Sequence, residues 1–318
     1  MTSPSKKTMI TFYVTIALSL VFSMKAIIAG ESLPLPNGGS TFLDQLEIDS
    51  YPSLPSPNEA ALFRWDFSGK QVYQYEFSQI VLVTSEIGNM HGNEVSKASH
   101  QSIQGDGKLS LKSEGNKSAR LVLENLTMSM EVEIPESDEP QIIQSQAPPI
   151  VIQGVQEDGS MKLGNSGQEI LLKTLFPIPP KPLKVGQSVS VPAEMPFNAM
   201  GSLLHVKGKT DIKLSDYVQV NGKTCAKLET EIDISTLNVP VELKGEYQCQ
   251  IKGRSIFFFN VEDKHFVAGR VAMLMSMHVE APIPKMNFPK ETEGIDIPET
   301  FKMSMDSDNF LSVNYAEN

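Results

Sequence analysis

The side chains of this chain most able to do chemistry are soft sulfur groups set at strand spacing. Methionine alternates in three places: Met128-Ser-Met130, Met273-Leu-Met275-Ser-Met277 and Met303-Ser-Met305. Alternate residues of a strand project to one face, so each stripe would present its thioethers together. Thioethers suit Cu(I), and His278 directly follows the longest stripe. His278 has the opposite parity, however, and would join the sulfurs only through a bulge. Methionine also fills irregular apolar space without imposing a shape, and Val132, Val271 and Val279 on the same parity are ordinary core residues. The stripes therefore read as core, as a copper site, or as the pliable lining of a site for a hydrophobic ligand. The lining expected on the last reading is Phe257, Phe259, Met273, Met275 and Met277.

Hydrolytic chemistry finds no support. Gly164-Asn-Ser166-Gly167 misses the Gly-x-Ser-x-Gly spacing of a serine nucleophile elbow. No His-Glu-x-x-His or Cys-x-x-Cys occurs. Asp306-Ser-Asp308-Asn309 opens like a calcium loop but lacks the glycine and the closing glutamate, and reads as a solvated turn. Glycoside hydrolysis needs two placed carboxylates with sugar-stacking aromatics, yet the single Trp, Trp65, alternates with Phe63 and Phe67 as a core residue would. No catalytic residue, metal site or cofactor is nominated, and no enzyme is expected. Cys225 and Cys249 would face each other in a hairpin centred on Leu237. Aligning the apolar faces shifts that register by one residue and flips one thiol away. A disulfide and two separate thiols both remain open.

Composition narrows the partners. The 318 residues carry 27 Lys+Arg against 38 Asp+Glu, a net charge of −11. Nucleic-acid binding needs clustered cations to displace phosphate counterions, so no nucleic acid is expected. Lys6 and Lys7, then the apolar run Ile10 to Met24 and the small residues after it, form an export signal over residues 1–29. An uncleaved N-terminal anchor is the alternative, and the sole route to a membrane. Removing residues 1–29 takes away three Lys and no acid, which makes the chain more acidic still. The expected location is extracytoplasmic, in a bacterial periplasm or cell envelope.

The elements that must position these residues are strands. Residues 30–60 are rich in Pro, Ser and Gly and read as a linker. Phe63/Trp65/Phe67 and Tyr73/Tyr75/Phe77 alternate about Gly69 as an aromatic hairpin. Residues 86–106 are polar and read as a loop. The apolar parity flips at Glu124-Asn125, which predicts a bulge or tight turn. Residues 167–174 suit one short helix, and the prolines of 176–186 demand an extended crossover. Asn221-Gly222 is a hairpin turn, after which Ala226, Leu228, Thr230, Ile232 and Ile234 share one face. The tail from Ala281 is Pro-rich, with one more short strand at 301–305. The expected fold is mainly β, with two lobes of antiparallel sheet (sandwich or half-barrel) and at most one or two short helices. The first lobe covers 61–165, the helix and crossover 166–186, and the second lobe with an irregular tail 187–318.

Three patterns, Phe67-Ser-Gly69-Lys-Gln-Val-Tyr73-Gln-Tyr75, Phe176-Pro-Ile-Pro-Pro-Lys-Pro-Leu-Lys-Val-Gly186 and Val220-Asn-Gly222-Lys-Thr-Cys-Ala226, resemble an uncharacterised family of exported bacterial β-rich proteins. The resemblance implies an envelope location and β architecture, and carries over no catalytic residue. Members are often lipoproteins, whereas this chain lacks a lipobox Cys. The function expected is non-enzymatic binding of a lipid or other hydrophobic small molecule in an apolar β groove. An assembly module binding another envelope protein is the alternative, and periplasmic copper binding the more distant one.

Overall fold

The computed structural model describes residues 27–28, 51–69, 71–87, 99–132, 140–162, 166–199, 202–282 and 300–316. Residues 1–26 and 29 of the expected export segment, and residues 30–50 of the linker, lie outside the described residues. The strands are β1 (Ile27–Ile28), β2 (Val72–Ile87), β3 (Ser99–Gly115), β4 (Ser118–Val132), β5 (Gln141–Gln146), β6 (Ile150–Gln156), β7 (Ser188–Ala199), β8 (Ser202–Val220), β9 (Lys223–Asn238), β10 (Glu246–Asn260), β11 (His265–Pro282) and β12 (Thr300–Tyr315); the helix α1 is Ser166–Leu175. The chain is mainly β.

All strands belong to one antiparallel sheet in the order β1-β5-β4-β3-β2-β12-β11-β10-β9-β8-β7, with β6 also beside β4. The two expected lobes are thus two meanders, β2–β6 and β7–β12. They are joined edge to edge, because β12 pairs with β2 from Met303↔Ile87 to Tyr315↔Tyr75. The sheet does not close into a barrel. Its free edge β7 carries Pro192 and Pro196, which withhold backbone donors from a would-be neighbouring strand.

Alternation makes one face of the sheet apolar. In β9, Ala226, Leu228, Thr230 and Ile232 are buried, while Lys227, Glu229, Glu231 and Asp233 stand on the other side. The parity flip at Glu124-Asn125 is a bulge, with Asn125 at φ 56 opposite the break between Asp106 and Lys108. Asn221 (φ 48) and Gly222 (φ 79) turn β8 into β9, both in the left-handed region that such a two-residue turn requires.

Four expectations are corrected. Phe63, Trp65 and Phe67 do not pair with β2 in a hairpin. They form an extended strap, in which Ala61 bonds Leu183 in both directions (2.8 and 3.0 Å) and Trp65 N–H donates to the Glu157 carbonyl (2.8 Å). The strap lies across the inner face because three large rings on one parity gain more from that core than from a sheet edge. Residues 99–106 are strand, since Ile103 and Gly105 alone need to face inward. The tail holds the sixteen-residue β12 in mid-sheet, so Asp306–Asn309 is strand interior, with Ser307 and Asn309 buried. Part of the linker is also docked. The Gln219 N–H donates to the Pro52 carbonyl (3.0 Å), the Leu54 N–H to the Tyr217 carbonyl (2.7 Å), and the Tyr51 ring meets Phe258 edge-on at 5.0 Å on the outer face.

One end of the inner face is filled by an aromatic core around Trp65, whose ring stands 5.2 Å from Phe176, 5.3 Å from Tyr73 and 5.4 Å from Phe266 between centroids. Leu172 and Leu175 of α1 and Leu183 of the crossover complete it. Arg64 secures the crossover by donating to the carbonyls of Pro179 (3.3 Å) and Pro180 (3.4 Å). In this core the Phe257 ring lies over Gly269, where an added Cβ would sit 2.0 Å from Phe257 Cε1. Phe257 is fully buried and has nowhere to retreat. Gly269→Ala should cost about 1–3 kcal/mol through overpacking. Urea unfolding checks this, and an unchanged midpoint would contradict the packing described.

Candidate ligand cavity

The concave face is filled at one end by the aromatic core and is lined at the other by a second cluster that includes Val206, Ile234, Met275, Met277, Met303 and Met305. Between them lies a cavity of about 940 Å³, at the upper end of the roughly 300–1,000 Å³ usual for small-molecule sites. Phe77, Gln79, Leu123 and Ile150 of the first meander form one wall. Val191, Ala193, Met195 and Phe197 of β7, with Ile212 and Ile232, form the facing wall. A single cavity bounded by strands so far apart in the order requires the sheet to curl around it.

Helix α1 spans the gap. Its first turn carries Glu169 and its last Lys173, which complement the helix dipole and form an i,i+4 ion pair of 2.6 Å. Pro177 prevents the helix continuing. Leu172 and Leu175 enter the aromatic core, while Ile170 and Thr174 border the cavity.

The lining is mostly apolar, with a waist of uncharged polar groups and charged residues at its border. Gln79, Thr210, Thr230 and Asn309 all border the space. Thr230 Oγ1 shares a hydrogen bond with Ser255 Oγ (2.5 Å), and Asn309 Nδ2 donates to Ser307 Oγ (2.8 Å). These bonds offset part of the cost of burying such groups. The charged residues at the border are engaged. Lys207 lies 3.9 Å from Glu194. Burial raises the Asp158 pKa, but hydrogen bonds from Ser160 and the nearby Arg64 outweigh it and hold the carboxyl below its ordinary value.

Of the five residues expected as lining, Met273 borders the cavity. Phe257 and Phe259 lie in the aromatic core. Met275 and Met277 are buried in the second cluster. Met277 stands directly opposite both Cys249 and Met305, so two Met stripes do meet. His278 points to the other face, where its Nδ1 meets Ser304 Oγ at 3.0 Å. Among the described residues no group of three or more His, Cys, Asp or Glu is assembled for a metal. Sequence reasoning missed α1 and β7 as cavity walls. The alternation of Val191, Ala193, Met195 and Phe197 was a usable signal, obscured by the intervening prolines. No family model matches the chain, and the search of curated proteins finds no match.

Cys225 and Cys249 are not bonded to each other, and both are free and buried. Cys225 stands opposite Asn260 in the β9–β10 pairing. That is eleven residues along β10 from Cys249, roughly 35 Å at the rise of a strand. The hairpin is centred between Glu242 and Leu243 rather than at Leu237, since Ile251 pairs with Ile234, and the apolar faces are aligned in that register. The thiols also lie on opposite faces, Cys225 beside Phe258 and Cys249 beside Ile251. Burial pushes their pKa values up to about 12 and about 11, and reactivity requires the thiolate. A thiol-reactive chromogen added without reductant should label neither cysteine in the native chain and both in denaturant. A denatured chain with no free thiol would contradict the separation.

Proposed function

We propose that this chain is a non-enzymatic protein of the cell envelope that binds a hydrophobic small molecule or lipid in the cavity between the curled sheet and α1. The observation that carries this reading is the size of the space together with its wall. A well-packed domain leaves few voids larger than a water molecule, whereas this one keeps about 940 Å³ bordered by Phe77, Leu123, Phe176, Ile212, Ile232 and Leu311. A space of that volume lined by such groups gains free energy when apolar surface of a guest leaves water.

The envelope location rests on the N-terminal sequence, with its basic start and apolar run, and is the setting in which a lipid ligand is plentiful. No helix among the described residues is long and apolar enough to cross a membrane. Assembly by strand addition loses support at β7, where Pro192 and Pro196 blunt the free edge.

Titration of the full chain with the uncharged fluorescent probe N-phenylnaphthylamine tests the proposal. Saturable enhancement at one probe per chain is expected. Ala193→Phe, which puts a ring into the cavity from β7, should weaken probe binding by roughly ten-fold, the overpacking now falling on the guest. Probe binding unaffected by Ala193→Phe, or no binding to the parent chain, would refute a ligand site here.

A further inference from the structure

The seam between the two meanders brings two carboxamides into the cavity. In the β12–β2 register Asn309 stands opposite Val81, and Leu311 opposite Gln79. Gln79 and Asn309 are therefore diagonal neighbours on the inner face, within roughly 7–8 Å of each other by Cα. Both border the cavity. Asn309 is 2% exposed and spends one N–H on Ser307 Oγ. A carboxamide offers two donors and an acceptor oxygen with two lone pairs, so most of the capacity of this pair is left for a guest. Thr210 and Thr230 add hydroxyls on the facing wall.

The charge balance around them sets the class of guest. Among the described residues the bordering cations are Lys173, paired with Glu169 (2.6 Å), and Lys207, which lies 3.9 Å from Glu194, itself 2.7 Å from His205. Asp158 borders the same space. Among the described residues an ionised carboxylate or phosphate would meet three bordering acids, Asp158, Glu169 and Glu194, against two lysines, and burying such a charge is costly. A hydroxyl, ester or amide meets no such penalty and can both give and take hydrogen bonds at the carboxamides.

We propose that Gln79 and Asn309 read the uncharged polar group of a neutral amphiphile, whose hydrocarbon lies along the apolar walls on either side, and that free fatty acids are discriminated against. This rests on the ligand reading above and narrows it to a lipid class.

Competition against N-phenylnaphthylamine on the full chain separates the two claims. Monoolein and oleate, which share one hydrocarbon chain, serve as competitors at mildly alkaline pH and below their aggregation concentrations. Monoolein should displace the probe at roughly ten-fold lower concentration than oleate, the size expected when buried polar partners are matched rather than left unpaired. Asn309→Leu and Gln79→Leu should each reduce that preference to about three-fold or less, the preference being the ratio of the two displacements within one variant, so that any change in the probe's own affinity cancels. Gln79→Leu is the safer variant, since Gln79 is only partly buried, and its melting curve controls for folding. A chain that binds the probe but takes oleate as well as monoolein, or keeps its preference in both variants, overturns the neutral-head reading and leaves the cavity standing. A parent chain that fails to bind the probe overturns both.

Discussion

The pairing of β12 with β2 is the interaction on which the rest of the structure depends. It converts two local meanders, each able to form by hairpin closure, into one sheet long enough to curl. It is also the most demanding contact in the chain, because more than two hundred residues lie between its strands. The loop-closure cost grows only logarithmically with that span, and the buried row of Leu311, Val313, Tyr75 and Phe77 along the seam offsets it. Contacts of such sequence separation form late and slowly.

A curled sheet brings its inner side chains together at the ends but leaves its middle wide. The chain fills one end with an aromatic core in which three separate pieces, the strap at 61–67, the last turn of α1 and the proline crossover, pack onto inward residues of the sheet. Methionines and valines close the other end. Around the middle the strands carry short polar residues, Thr210, Thr230 and Asn309, partly satisfied by neighbouring serines, and their small side chains leave space between the larger groups of the border. Gly208 belongs to this band: its Cα lies so close to β9 that an added Cβ would sit 2.1 Å from the Asp233 carbonyl oxygen.

Much of this was legible in the sequence. The alternation of Ala226 to Ile234 against Lys227 to Asp233 gave strand, face and burial at once. The Asn221-Gly222 turn, the bulge at Asn125 and the short helix before Pro177 were equally plain, since each depends on a few local residues. What could not be read was non-local. Phe63, Trp65 and Phe67 have a strand's alternation, yet their segment bonds to Leu183 through Ala61 and to Glu157 through Trp65 rather than to the neighbouring β2. Cys225 and Cys249 are separated because the whole β9–β10 face sets their register. Asn309, in a run resembling a solvated turn, becomes a cavity residue only because β12 inserts between β11 and β2. The Phe257 and Met275 positions were apolar as expected. Whether an inward apolar residue packs or lines a space depends on its distance from the waist of the curled sheet, which alternation does not encode.

Trp65 supplies the most direct test of the central claim, that the cavity receives an apolar guest. It is the single tryptophan of the chain, and its ring packs 5.2 Å from that of Phe176, which borders the cavity. A dibrominated long-chain alcohol quenches tryptophan on close approach. The account predicts saturable quenching of Trp65 at one ligand per chain, with no change in the circular dichroism of the sheet. Fluorescence unchanged up to the solubility limit of the alcohol, or quenching that rises without saturation, would contradict it.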